Sequence, residues 1–98
     1  MPTKKDTPPK EKVTREEIKP QVIGVLVAMT QTKGITEPMT LWPKLRMGPL
    51  QRAALSLPFS KISAKYDGLS MSDDSTRKLK DVKSAIDLVY ARSNGRMK

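Results

Sequence analysis

The sequence predicts an all-α protein, a small bundle of three main helices plus one short helix behind a disordered basic N-terminal arm. Three observations favour this fold class. Apolar residues recur at helical spacing, each predicted helix opens on a residue suited to capping, and no segment shows the alternation or the two-residue turn of a β-hairpin. A chain of 98 residues allows one domain, so every amphipathic segment must contribute to a single core.

The composition divides the chain into three ranges. Residues 1–13 carry prolines and mixed charges with almost nothing apolar, which predicts a disordered arm because such a segment cannot repay the entropy of ordering. Residues 14–92 are the predicted helical domain, and residues 93–98 are a predicted flexible basic tail. The longest apolar run, Val22 to Met29, is too short to cross a bilayer, so we expect no membrane span.

The first helix is predicted to begin after Thr14, because Thr14 and Glu17 have the spacing of a capping box. Pro20 would disturb an early turn, which leaves a start near Pro20 as an alternative. Gly34 is the expected C-terminal stop. The apolar residues expected to form its inward face are Ile18, Val22, Val25, Leu26 and Met29.

The central helix is predicted to begin at Gly48 and Pro49, since proline suits the first helical position. Pro58 removes a backbone hydrogen bond to Ala54 and disfavours helical geometry in the residue before it, so we expect a kink or break there. A turn at residues 67–68 closes the segment. The predicted inward stripe consists of Leu50, Ala53, Ala54, Leu57, Ile62 and Tyr66.

Two further helices complete the predicted bundle. Ser72, followed by acidic residues that favour a helix N-terminus, predicts a short helix ending near Leu79. Asp81 can cap the last helix, and Asn94 with Gly95 can end it. The inward residues of this last helix are Val82, Ala85, Ile86 and Val89.

The residue types available argue against catalysis. The chain has neither cysteine nor histidine, so it lacks the commonest nucleophile, the usual base at neutral pH and the soft metal ligands. We therefore expect no enzyme activity, no metal site and no bound cofactor. The paired acids Asp73 and Asp74 are interpreted as favourable charges at a helix start. Because no apolar secretory signal opens the chain, the expected location is the cytoplasm.

The order of long helix, long loop, central helix, short helix and final helix resembles an acyl carrier protein. Residues 71–74, Met-Ser-Asp-Asp, resemble the apolar residue and Pro-Asp-Glu-Glu of that family. Residues 79–82 resemble its Ile-Thr-Thr-Val segment, with Leu79 and Val82 at the two apolar positions. Residues 85–87, Ala-Ile-Asp, resemble the Ala-Ile-Asp of its final helix. Residues 45–50, Leu-Arg-Met-Gly-Pro-Leu, occupy the place of its Asp-Leu-Gly-x-Asp-Ser-Leu motif. The resemblance covers about residues 14–92.

Three departures from the family bear on function. The serine that carries phosphopantetheine in the family falls on Pro49, and the preceding aspartate falls on Gly48. Proline offers no hydroxyl, so the site for the covalent cofactor is absent. The family's acidic central helix is replaced by residues 42–66, which carry five basic residues and no acidic one. Residues 65–69 lengthen the loop before the short helix.

These features predict a non-enzymatic, carrier-protein-like module that binds a protein partner with an acidic surface and is itself a monomer. The chain carries 19 basic and 10 acidic residues, a net charge of +9, which favours an anionic partner. Trp42 and Met47 are candidate apolar anchors, because Trp and Met are enriched at interface cores, although Trp42 is also interpreted as a lid over the core. The predicted basic contacts are Arg46, Arg52, Lys61 and Lys65.

Two alternatives stay open. The first is a functional acyl or peptidyl carrier that uses a non-standard serine. The serines close enough to the central helix are Ser56, Ser60, Ser63, Ser70 and Ser72. The second alternative is charge-driven nucleic-acid binding through phosphate contacts. The chain has only four aromatic residues, so a stacking platform for bases is not expected.

Overall fold

The computed structural model describes residues 12–96, so residues 1–11 of the predicted arm and the last two residues of the tail lie outside it. Five helices follow one another as α1 (Arg15–Thr30), α2 (Pro49–Ala54), α3 (Ser56–Ala64), α4 (Asp73–Arg77) and α5 (Val82–Ser93). Only Leu55 separates α2 from α3, so together they are the central helix. Residues 12–96 contain no β-strand, and the predicted class of small all-α bundle is confirmed.

Helix α1 begins where the capping box predicts. The Thr14 hydroxyl accepts a hydrogen bond from the backbone N–H of Glu17 at 3.2 Å, and the Glu17 carboxylate accepts from the Thr14 N–H at 2.9 Å. Pro20 lies inside the helix, so the alternative start near Pro20 is wrong. The helix ends at Thr30 because Gln31 turns left-handed (φ 60°), so the predicted stop at Gly34 is too late.

The break in the central helix falls at Leu55 instead of Pro58. The Leu55 N–H donates to the Arg52 carbonyl at 3.1 Å, a tighter turn than the α-helix, and α3 starts at the next residue. Pro58 therefore lies in the first turn of α3, where backbone N–H groups have no partner within the helix and the missing donor costs nothing. Leu57 keeps helical geometry.

The predicted inward stripe of the central helix is confirmed at Ile62 but wrong at its two leucines. Leu50 is 84% exposed and Leu57 is 64% exposed. The residues that enter the core are Leu55, Phe59 and Ile62, which are also spaced i, i+4 and i+7. Helices α4 and α5 cover this opposite side, because α4 packs along α2, and α5 packs along α3.

The core lies between α1, α3 and α5. Helix α1 buries Ile18, Val22 and Leu26, whereas Val25 is half-buried and Met29 is exposed, so the inward face of α1 is narrower than predicted. All four predicted inward residues of α5 are buried, and that prediction is confirmed: Val82, Ala85, Ile86 and Val89.

The short helix and the last helix begin at their predicted caps. The Ser72 hydroxyl accepts from the Ser75 N–H at 3.2 Å, and the Asp81 carboxylate accepts from the Ser84 N–H at 2.8 Å. Helix α4 ends at Arg77, two residues before the predicted end. Within residues 12–96, no helix combines the length and the apolar character needed to cross a membrane.

The two ends of the described chain are joined through Asn94. Its side-chain oxygen accepts from the N–H of Lys12 at 2.6 Å and of Val13 at 3.3 Å, while its amide donates to the Val13 carbonyl at 3.0 Å. Val13 is only 2% exposed and belongs to the core. The packed unit therefore extends beyond the predicted range 14–92, because Asn94 supplies the hydrogen-bonding groups that a paired strand would otherwise supply.

The long loop is held against the start of α5 by backbone hydrogen bonds. The N–H groups of Val82 and Lys83 donate to the carbonyls of Met39 and Glu37 at 2.9 and 3.0 Å. In the opposite direction, the Leu41 N–H donates to the Lys80 carbonyl at 2.9 Å. The loop buries four apolar side chains, namely Ile35, Leu41, Leu45 and Met47.

Candidate interaction surface

The exposed face of the central helix carries one continuous stripe, which we call the outer stripe. Its residues recur at i, i+4, i+7, i+11 and i+15 and are all exposed: Leu50, Ala54, Leu57, Lys61 and Lys65. Such spacing places side chains on one face of a helix. The first half of the stripe is apolar and the second half is cationic.

Within residues 12–96, no ion pair offsets the charge of the outer stripe. The ion pairs of residues 12–96 involve Arg15, Lys19 and Arg77, and none reaches the central helix. The Lys65 ammonium donates to the Gln21 side-chain oxygen at 2.7 Å, a neutral partner on α1. The outer stripe therefore keeps its positive charge, and that charge is available to an anionic partner.

The four predicted basic contacts do not form one site. Lys61 and Lys65 lie on the outer stripe, and Arg46 is exposed in the loop before α2. Arg52 lies on another side of the helix, where its guanidinium Nε donates to the Arg77 carbonyl at 3.1 Å. Arg52 thus fastens α4 to α2, and this contact opposes its predicted role in partner binding.

The two predicted apolar anchors differ in solvent exposure. Met47 is only 2% exposed, so it is a core residue and the prediction of an anchor there is wrong. Trp42 is 57% exposed, so its interpretation as a lid over the core is wrong. The exposed apolar residues of the central helix are instead Leu50 and Leu57, which the sequence pattern assigned to the core.

The start of α2 offers no hydroxyl. Pro49 is its first residue, and Gly48 is its N-cap without a side-chain hydrogen bond. Among the serines of the carrier alternative, Ser63 is fully buried and Ser60 accepts from the Met71 N–H at 2.8 Å. Ser56 donates to Asp73, Ser72 caps α4, and Ser70 is exposed in the loop between α3 and α4.

A cluster of ionic side chains fastens the long loop to α1 and α5. The Arg15 guanidinium donates to both carboxylate oxygens of Glu37, at 2.8 and 3.2 Å, and to Asp87 at 2.6 Å. The Lys19 ammonium lies 3.2 Å from Glu37. These two cations lower the pKa of Glu37 from 4.5 to about 2, the hydrogen bonds from Arg15 having the largest effect, and the carboxylates raise the pKa of Arg15.

We expect this cluster to make stability depend on acid pH. Because the pKa of Glu37 is lower in the folded state, its contribution is complete above about pH 4.5 and is lost as the pH falls towards about 2. The measurement compares the unfolding free energies of the native chain and Glu37→Gln between pH 7 and pH 2. Their difference should shrink as the pH falls, and a difference that stays constant would contradict the prediction.

The described residues contain no grouping of three acidic side chains that could hold a metal ion. Comparison with known proteins finds no matching family model, no matching curated protein and no matching solved structure. The resemblance to acyl carrier proteins therefore rests on the residues quoted for it, and function has to be argued from the exposed surface of the bundle.

Proposed function

We propose that this protein is a non-enzymatic, carrier-protein-like interaction module without covalent phosphopantetheine, and that it binds an acidic protein partner through the outer stripe. One observation carries the proposal: Leu50 and Leu57 are largely exposed and lie in line with Lys61. Burying a leucine side chain contributes about 1.5 to 3 kcal/mol, so a partner that covers both residues gains a substantial free energy.

The charge of the outer stripe determines what kind of partner fits. Carboxylates facing Lys61 and Lys65 would complement the cationic half, while apolar side chains would cover the two leucines. An amphipathic helix with acidic residues supplies both, because apolar anchors at i, i+3, i+4 and i+7 match the spacing of a helical stripe. Opposite charges also raise the rate of encounter and disfavour cationic partners.

Two further features support the proposal. The helix order agrees with the carrier resemblance, and the residue at the family's attachment position is a proline that begins α2. We also propose that the module acts as a monomer in the cytoplasm. A net charge of +9 opposes self-association, because copies of the chain repel one another.

The test removes the outer stripe without touching the core. Immobilised native protein and the double variant Leu50→Ser/Leu57→Ser are exposed to a lysate of the source organism, and each captured protein is purified and titrated directly. We expect acidic partners whose affinity falls at least about tenfold in the variant, since 1.4 kcal/mol corresponds to a factor of ten.

A matched control variant replaces an exposed apolar residue outside the outer stripe with serine. Met29→Ser alters an exposed apolar residue on α1 and should leave the affinity unchanged. The charge variant Lys61→Glu/Lys65→Glu should weaken the same complexes. Partners that bind all the variants equally would contradict the proposal, provided that thermal unfolding shows every variant to be folded.

A further inference from the structure

A second surface lies away from the central helix, where the long loop meets the start of α5. A hollow of about 380 Å³ opens here and is lined by Pro38, Met39, Thr40 and Lys44. It is shallow and open to solvent, so it can border a flat ligand but does not enclose one. Pro38 and Met39 give it apolar surface, and Lys44 adds a positive charge.

The frame of this hollow is held by the backbone. Residues 37–41 pair with residues 80–83 through the hydrogen bonds described above, and an isolated bridge joins Thr40 to Asp81. This pairing brings the backbones of Lys80 and Lys83 beside the residues that line the hollow. Both side chains are exposed, as is that of Lys44. We call the hollow and these three lysines the lysine-rimmed hollow.

The loop that forms the hollow also carries an exposed tryptophan. Trp42 is 57% exposed, and in the sequence it stands between two lining residues, Thr40 and Lys44. The turn that carries Trp42 is closed by two hydrogen bonds, from the Leu45 N–H to the Thr40 carbonyl at 3.1 Å and from the Met47 N–H to the Leu41 carbonyl at 2.8 Å. An anchored turn presents its aromatic ring with a small further loss of conformational entropy.

Two acidic residues lie on the paired segments. Glu37 is paired with Arg15 and Lys19. Asp81 accepts the hydrogen bond that caps α5 from a neutral N–H group, so it keeps its negative charge, but Lys44, Lys80 and Lys83 outnumber it. This arrangement favours an anionic ligand that also offers a flat apolar face.

We propose that the lysine-rimmed hollow binds single-stranded nucleic acid. One base stacks on Trp42 beside the apolar hollow, and the lysines contact neighbouring phosphates. Lysine supplies mobile point charges that suit a flexible phosphate backbone, and every base offers a π face to an exposed aromatic ring. With a single aromatic residue the site covers few nucleotides and has little sequence preference. The proposal is independent of the outer stripe.

The chain provides its own reporter, because Trp42 is its only tryptophan. We would titrate the full chain with a 12-nucleotide thymidine oligomer and follow tryptophan fluorescence at several salt concentrations. Stacking should quench the emission. Three phosphate contacts should give a slope of about −2 for the logarithm of the binding constant against the logarithm of salt concentration, since each contact on a single strand contributes about −0.7.

Variants locate the site. Lys80→Gln/Lys83→Gln should weaken binding several-fold, and Trp42→Leu should weaken it about tenfold when measured by anisotropy of a labelled oligomer. The matched control Lys61→Gln/Lys65→Gln removes the same charge from the outer stripe and should bind like the native chain. Equal losses in both lysine pairs would overturn the proposal, because they would show that net charge alone is responsible.

Two other ligands complete the experiment. A 12-base-pair duplex should bind more weakly than the single strand, because its bases are not free to stack on Trp42. Equal affinity for the duplex would overturn the proposal. Vesicles containing anionic phosphatidylserine should leave the emission unchanged, and a blue shift with vesicles combined with no quenching by the oligomer would assign the surface to a membrane instead.

Discussion

Replacing Leu55 with alanine should lower the free energy of unfolding by about 3 kcal/mol, because the substitution leaves a cavity in a fully buried site. The same replacement at Leu57 should change it by less than about 0.5 kcal/mol, because that side chain is 64% exposed. The measurement is denaturant unfolding of both variants and of the native chain.

This pair tests how the central helix is rotated about its axis. The two leucines are two positions apart, and the sequence pattern placed Leu57 inside. Their chemistry is identical, so differences in helix propensity and side-chain volume cancel. A larger loss at Leu57 than at Leu55 would reverse the assignment of the core face and would remove the outer stripe on which the proposed function depends.

Gly68→Ala should destabilise the domain by about 3 kcal/mol, near the upper end for overpacking. A Cβ atom at this position would lie 2.6 Å from the Cα of Ser93 and closer still to the Arg92 carbonyl oxygen. Both are backbone atoms of α5, so neither can move aside alone. The Gly68 N–H donates to the Ser63 carbonyl, and the next N–H donates to Arg92, so the turn cannot withdraw without losing hydrogen bonds.

Gly24→Ala is the matched control for this prediction. Gly24 lies inside α1, and an added Cβ would meet no atom within 4 Å outside the adjoining turns of its own helix. Alanine is favoured over glycine in a helix interior, so this variant should gain up to about 1 kcal/mol. Thermal unfolding of both variants provides the comparison. A loss at Gly68 no larger than the change at Gly24 would contradict the close approach of the turn to α5.

Local signals in the sequence were sufficient to predict where helices start. Thr14, Ser72 and Asp81 each cap the helix that the sequence assigned to them, because a side-chain oxygen beside an unpaired N–H acts over only three residues. Helix ends were less predictable. Gln31 ends α1 in a left-handed conformation that glycine usually supplies, and the expected stop at Gly34 lies in the following loop.

The spacing of apolar residues could not predict which face of the central helix enters the core. Its two sides carry competing stripes with the same spacing, one from Leu50 to Leu57 and the other from Leu55 to Ile62. The packing of α1, α4 and α5 against this helix selects the second stripe for the core. With the second stripe buried, the first stripe faces solvent. The candidate interaction surface therefore depends on the neighbouring helices and not on the central helix alone.

The sequence by itself determined the helical class, the three capped starts and the absence of a hydroxyl at Pro49, because each depends on the type of one residue or on neighbours within a turn. The tertiary structure alone decided that Met47 is buried, that Trp42 is exposed and that the backbone of the long loop pairs with residues 80–83. These outcomes depend on contacts between residues distant in the chain, which local patterns do not encode.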